Sequence, residues 1–220
     1  MKKTRLIIVD DEPLFRELLA RSLSVEPGLE VVGVAQDGAT AVRLAMQEKP
    51  DVVLMDIELQ GEQDGIQAGL QIKKENPKTG IVILSAHCER RYVSSLPLED
   101  IRGWAYLLKQ TAADLATVMR AIQGSKAGMV VLDPAVVASL QPRQGSAVAR
   151  LNPRHLEVLE LMAQGYDNAA IAEVLRLSQK SVETYVNAIY KELHLSGEPN
   201  INPRVKATLL YMENSKNRPR

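Results

Sequence analysis

Val52-Val53-Leu54-Met55-Asp56 is an apolar run closed by a carboxylate. A run of that length, bounded by Pro50 on one side and polar residues on the other, predicts a buried strand. A carboxylate directly after such a strand stands at the carboxyl edge of a sheet, where open α/β folds place their ligand sites. An Asp in that position more often caps a loop than performs chemistry. Its meaning therefore depends on what the flanking segments deliver to the same edge.

On the amino side, Leu6-Ile7-Ile8-Val9 predicts a strand, with Asp10-Asp11-Glu12 immediately behind it. Pro13 opens a helix running to Ser24, as suits a residue favoured in the first helical turn. Leu29 to Ala35 predicts a second strand and residues 39–48 a second helix, stopped at Lys49-Pro50. Beyond Asp56 come a polar loop, Glu58 to Gly65, and a helix over 66–75. Ile81 to Leu84 predicts a fourth strand, followed by Ser85, and Trp104 to Leu108 a fifth, followed by Lys109. Between them, Arg90 to Leu96 has some helical character but is interrupted by Pro97 and Glu99-Asp100. Thr111 to Gln123 predicts a helix, with Thr111 and Asp114 spaced as a capping box.

Five strands alternating with helices are the βαβ pattern of a doubly wound parallel sheet covered on both faces. All parallel strands then present their carboxyl ends at one edge. Asp10, Asp11, Asp56, Ser85 and Lys109 converge there. Packed carboxylates repel one another and raise each other's pKa. A hard divalent cation relieves that repulsion, and Mg²⁺ favours a few carboxylates plus waters and phosphate oxygens. An ionised Asp is also a competent phosphoryl acceptor. Phosphoryl transfer needs charge neutralisation around the phosphorus, which Mg²⁺ on Asp10 and Asp11 and the ammonium of Lys109 supply. Ser85 adds a hydroxyl donor.

Ile8-Val9-Asp10-Asp11-Glu12-Pro13, Leu54-Met55-Asp56, Leu84-Ser85-Ala86 and Tyr106-Leu107-Leu108-Lys109 together resemble a response-regulator receiver domain. The resemblance implies a flavodoxin-like sheet of order 2-1-3-4-5 and a phosphoacceptor role for Asp56, served by a cognate histidine kinase. It implies that Asp10, Asp11, Asp56 and the Glu58 carbonyl bind Mg²⁺. Ser85 would be the hydroxyl switch, Tyr106 the aromatic that moves with it, and Lys109 the phosphate partner. This sequence departs from the pattern in four places. Leu59-Gln60 replaces the usual Met-Pro in a longer turn, Gln110 replaces a frequent Pro, Ser85 replaces the commoner Thr, and Ser85 to Lys109 is stretched around Pro97. Glu58 and His87 flank the acceptor at positions able to tune phosphate hydrolysis.

The rest of the chain predicts a small all-α domain. Residues 126–150 read as a linker with a short helix from Asp133. Asn152 and Pro153 start a helix ended by Gly165. Asn168 is placed as the cap of a second helix, and Ser178 as that of a third, Gln179 to Leu193. Two helices joined through Arg176-Leu177-Ser178, the second polar on its outer face, describe a helix-turn-helix. A further helix is expected over 203–212 and a frayed tail over 215–220. Leu151-Asn152-Pro153-Arg154-His155-Leu156-Glu157-Val158-Leu159, Ile171-Ala172-Glu173-Val174-Leu175 and Ser178 to Val186 resemble the LuxR-type helix-turn-helix of the NarL/FixJ class. His155 stands where an acid is usual. The resemblance implies base contacts from Glu183, Thr184 and Asn187, and phosphate contacts from Lys180, Ser181, Tyr185 and Lys191.

The domains are therefore expected at 1–125 (receiver), 126–150 (linker), 151–214 (DNA-binding) and 215–220 (tail). The 220 residues carry no net charge, but the distribution is uneven: 1–140 hold 16 basic and 19 acidic residues, 141–220 hold 11 and 8. A mildly basic second part suits DNA, and its small excess predicts weak binding by one copy and a homodimer when active. The single Cys88 excludes an internal disulfide and suits a reducing cytoplasm. No signal peptide and no apolar run of ~20 residues for a membrane is visible. The expected function is a transcriptional response regulator of a two-component system, not an enzyme. Two rivals are a DNA-binding regulator whose receiver works without phosphorylation, and a Mg²⁺-dependent phosphatase. The intact acid, hydroxyl and lysine set argues against the first. The second lacks a cap domain and the usual acid two residues after Asp56.

Overall fold

The computed structural model describes residues 2–86, 101–195 and 202–217. The chain divides into two compact units, Met1–Met129 and Val130–Arg220. In the first, strands β1 (Thr4–Val9), β2 (Leu29–Ala35), β3 (Val52–Asp56), β4 (Gly80–Ser85) and β5 (Trp104–Leu108) alternate with helices α1 (Pro13–Ser24), α2 (Gly38–Glu48), α3 (Gly65–Glu75) and α4 (Leu115–Lys126). Within this unit the five strands stand in the order β2-β1-β3-β4-β5, and the second unit opens with β6, the two-residue Val131–Leu132. So short a segment leaves no periodicity to read, which is why the sequence shows only a linker there.

The pairings β1–β2, β1–β3, β3–β4 and β4–β5 are all parallel. Parallel strands under helices on both faces lose their solvent side. Accordingly every residue of β3, β4 and β5 is buried. The register places Asp56 opposite Leu84 and Ser85 opposite Leu108, so the strand ends carrying the site stand side by side.

Local chemistry sets the helix starts. Asp37 accepts from the Thr40 amide, and Asp64 forms a full capping box with Gln67. The predicted Thr111 start is corrected. Thr111–Ala113 is a 3-10 turn, and the α-helix begins at Leu115, with Asp114 accepting from the amides of Ala116 and Thr117. An Asp at the cap position satisfies two of the helix's free N–H groups, which Thr111 cannot reach from one turn earlier. The irregular stretch expected to hold a helix over 90–96, together with His87, Cys88 and Pro97, lies outside the described residues.

The second unit contains α5 (Pro134–Ser139), α6 (Pro153–Ala163), α7 (Asn168–Leu175), α8 (Gln179–Glu192) and α9 (Pro203–Glu213), with strands β7 (Leu140–Pro142) and β8 (Ser215–Asn217). Two readings change here. The stretch 126–150 is not simply a linker: Val130, Val131, Leu132, Val136, Val137 and Leu140 are buried. Residues 215–217 are not frayed, because β8 pairs antiparallel with β7. Gln141, Pro142 and Asn214 to Asn217 are polar or helix-breaking and look like linker and tail; the 74-residue bond from the Tyr211 hydroxyl to the Val137 carbonyl belongs to the fold alone. The cap of α7 is Asp167, which accepts from the Ala170 amide, rather than Asn168. Asn168 instead accepts from Arg204 at 3.1 Å. Gly165 ends α6 with φ 82°, a conformation costly for any residue with a Cβ. Among the described residues no helix is long and apolar enough to cross a membrane.

Candidate functional site

The site at the carboxyl edge is assembled around Lys109. Its Nζ lies 2.9 Å from Asp10 Oδ2, 2.9 Å from Asp56 Oδ2 and 3.0 Å from Glu12 Oε1. These partners come from the ends of two strands, β1 and β3, and Lys109 from the end of a third, 97 residues from Glu12 in sequence. Backbone bonds hold the strand ends in place: the Lys109 amide donates to the Ser85 carbonyl at 2.7 Å and the Ile57 amide to the Leu84 carbonyl at 3.1 Å. The acids are also oriented locally. Asp10 Oδ1 accepts from the Glu12 amide at 2.9 Å and Asp56 Oδ1 from the Glu58 amide at 3.3 Å.

Asp10, Asp56 and Ser85 are buried and Asp11 is half-buried. Burial raises the Asp10 carboxyl above its ordinary range, against the hydrogen bond and charge of Lys109. Asp56 is raised the same way, first by burial and further by the charge of Asp10, again with Lys109 opposing. For Lys109, burial works against the ammonium, but its bonds to Asp56, Asp10 and Glu12 outweigh it and the pKa is raised. Two buried acids thus share one firmly held proton-bearing cation. Each of Asp10, Asp11 and Asp56 offers a carboxylate oxygen within 4.8 Å of the others. Three hard oxygens at that spacing, with charges a single lysine does not fully offset, fit a hard divalent cation.

Tyr106 is fully buried within β5, opposite Ile83. Of the seven receiver positions anticipated, the fold brings Asp10, Asp11, Asp56 and Lys109 into one cluster. Ser85 closes β4 beside it. Glu58 contributes its amide to Asp56. Four residues were missed as parts of the site. Glu12 pairs with Lys109, and the Phe15 ring lies under Nζ at 4.9 Å. Arg16 donates to the Asp10 carbonyl at 2.5 Å. Gly65 is the fourth: a Cβ there would stand 1.8 Å from the Asp56 carbonyl oxygen, so α3 can start this close only with glycine. Only Arg16 and Gly65 left a trace in sequence, as an isolated base in an apolar face and a glycine after a helix cap.

The second candidate surface is the outer face of α8. Val182, Val186 and Ile189 are buried toward the unit's core. Lys180, Glu183, Thr184, Asn187 and Lys191 are exposed and Ser181 and Tyr185 half-buried. Ser178 caps the helix onto the Ser181 amide at 3.0 Å. The Thr184 hydroxyl donates to the Lys180 carbonyl at 2.9 Å, within its own helix. His155, from α6, packs beside α8: its Nδ1 lies 3.0 Å from Glu192 Oε1 and its ring 5.7 Å from that of Tyr185.

Comparison with known proteins places each part of the chain in a family. Residues 6–123 match the response regulator receiver domain, and residues 149–201 match the luxR family of bacterial regulatory proteins. The transcriptional regulatory protein DegU of Brevibacillus brevis is 31% identical over 96% of this chain and 94% of its own length. LiaR of Bacillus subtilis is 33% identical over 87% of this chain and 92% of its own. Among solved structures, the RcsB response regulator of Salmonella typhimurium, described for its conformational dynamism in DNA interaction, is similar at 25% identity and TM-score 0.51, covering 97% of this chain and 99% of that one. The chain belongs to the response regulators of the NarL/FixJ class, transcription regulators that join a receiver domain to a DNA-binding LuxR-type helix-turn-helix.

Proposed function

We propose that this response regulator is switched by phosphorylation of Asp56. The observation that carries the reading is the Lys109 ammonium at 2.9 Å from both Asp56 and Asp10, beside a third acid, at the carboxyl edge of the sheet. A phosphohistidine of a cognate histidine kinase is the donor. An Asp56 oxygen attacks phosphorus, the P–N bond breaks, and the imidazole takes up a proton as it leaves. Lys109 then donates to phosphoryl oxygens, and the Ser85 hydroxyl supplies another donor. Mg²⁺ would be held by Asp10, Asp11, Asp56 and the Glu58 carbonyl, and when bound it neutralises charge at the phosphoryl group.

Attack by water on the same phosphorus restores the carboxylate and releases inorganic phosphate, so the signal limits itself. Inward movement of Ser85 and Tyr106 on phosphorylation biases a two-state surface and favours a homodimer. Two copies of α8 then enter successive major grooves of promoter DNA. Glu183, Thr184 and Asn187 read bases, while Lys180, Ser181, Tyr185 and Lys191 hold phosphates. The chain works in the cytoplasm, with no membrane partner. Incubation with acetyl phosphate and Mg²⁺ tests the reading. The expected result is the mass gain of one phosphoryl group in the wild type, none in Asp56→Asn, and tighter DNA binding on modification. A wild-type mass that stays constant refutes it.

A further inference from the structure

The Lys109 ammonium has a fourth neighbour that carries no charge. Phe15, the single phenylalanine of the chain, places its ring centroid 4.9 Å from Nζ. Carboxylate oxygens of Asp10, Asp56 and Glu12 lie 2.9, 2.9 and 3.0 Å from Nζ, and the ammonium donates to Glu12. An aromatic face attracts an ammonium through its quadrupole and takes up no N–H. That difference matters once Asp56 carries a phosphoryl group. Lys109 must then donate to phosphoryl oxygens, and Asp10 and Asp56 serve the metal when it is bound. Glu12 and the ring are the neighbours on which neither event makes a demand, and of the two only the ring takes up no N–H.

Its position is set by the backbone. Phe15 lies in the first turn of α1, next to Arg16, whose guanidinium binds the Asp10 carbonyl at 2.5 Å, and behind Pro13 at the start of the helix. The turn is thereby tied to the strand end that carries Asp10. We propose that Phe15 is a positioning residue for phosphoryl transfer at Asp56, holding the Lys109 ammonium at the site through its ring face. The inference rests on Asp56 being the phosphoacceptor.

Phe15→Leu keeps an apolar side chain and removes the ring; Phe15→Tyr keeps the ring. Three quantities are read on each full-length variant: the rate of phosphorylation by acetyl phosphate, the Mg²⁺ affinity, and the ring-current shift of the Lys109 ε-methylene protons in metal-free protein. Phe15→Leu is expected to slow phosphorylation about fivefold, to leave Mg²⁺ affinity unchanged and to abolish the ring-current shift. Phe15→Tyr is expected to restore both rate and shift. A leucine variant as fast as wild type overturns the proposal. Equal slowing of the leucine and tyrosine variants overturns it too, since that marks a packing role. A wild type that gains no phosphate removes the acceptor reading itself, and the role of Phe15 with it.

Discussion

At the carboxyl edge of the sheet, Asp10, Asp56 and Ser85 are buried and the acids cluster around one ammonium. On the outer face of α8, they stand exposed along one helix. Asp10 and Asp56 share the Lys109 ammonium at 2.9 Å, while Lys180, Glu183, Asn187 and Lys191 face solvent. The contrast follows from the two tasks. Stabilising a phosphoryl group needs charges fixed in a low dielectric, where each is strong and none has to reorganise. Reading DNA needs groups that reach a partner, with the scaffold on the other side of the helix. The first site is therefore sensitive to backbone position and the second to single side chains.

The largest expected effect tests that sensitivity. Gly65→Ala forces a Cβ against the Asp56 carbonyl, which a Cβ would meet at 1.8 Å. A loss of about 3 kcal/mol in unfolding free energy is expected, with phosphorylation abolished although no titratable group has changed. Chemical denaturation and mass spectrometry read the two effects; a variant of wild-type stability and reactivity would break the comparison. Asn187→Ala is expected to leave the unfolding midpoint in place and to cost about 1–3 kcal/mol of base discrimination, measured by binding to a selected operator and to a point variant of it. A smaller change is expected for Lys180→Ala. It should weaken binding to all sequences alike and reduce the slope of log K against log salt by about 0.9, seen in a salt titration.

The smallest expected effect separates the two surfaces by pH. Asp10 and Asp56 are raised above 3.8 in the folded chain, first by burial. Their protonation therefore stabilises the fold fully below 3.8, and that stabilisation is lost as pH rises through the raised values. Ionised at neutral pH, they cost stability. Asp56→Asn is accordingly expected to raise the melting temperature at neutral pH while removing the acceptor. Mg²⁺ affinity should begin to fall on acidification while still above 3.8, because the metal needs the ionised carboxylates. Calorimetry across that range checks both; a lower melting temperature for the asparagine variant would count against a site that trades stability for chemistry.

Much of this was legible before any fold was known. The strands Leu29–Ala35, Val52–Asp56 and Trp104–Leu108 have the bounds that apolar runs and flanking turn residues predict. Asp56, Asp10, Asp11 and Lys109 follow because each stands directly behind such a run. The helix starts were less legible: Asp114 and Asp167 cap where Thr111 and Asn168 were expected. Neighbouring polar residues have similar cap preferences, and the backbone turn chooses between them. Phe15 is not legible as part of the site, since helical periodicity cannot tell an apolar residue facing a core from one facing a cation.

By itself, the sequence determined the alternation of strands and helices, the acids and lysine behind the strands, and the buried stripe and polar face of the helix from Gln179. These are local patterns, repeating at the period of a strand or a helix. Only the tertiary structure decided that Lys109 reaches Asp10, Glu12 and Asp56 together, that Phe15 lies under its ammonium, and that β8 returns to pair with β7. It also made glycine obligatory at 65, where α3 starts against the end of the strand that opens the site. Each of these joins residues far apart in sequence, and such contacts are selected by the packing of whole elements, which no window of the chain contains.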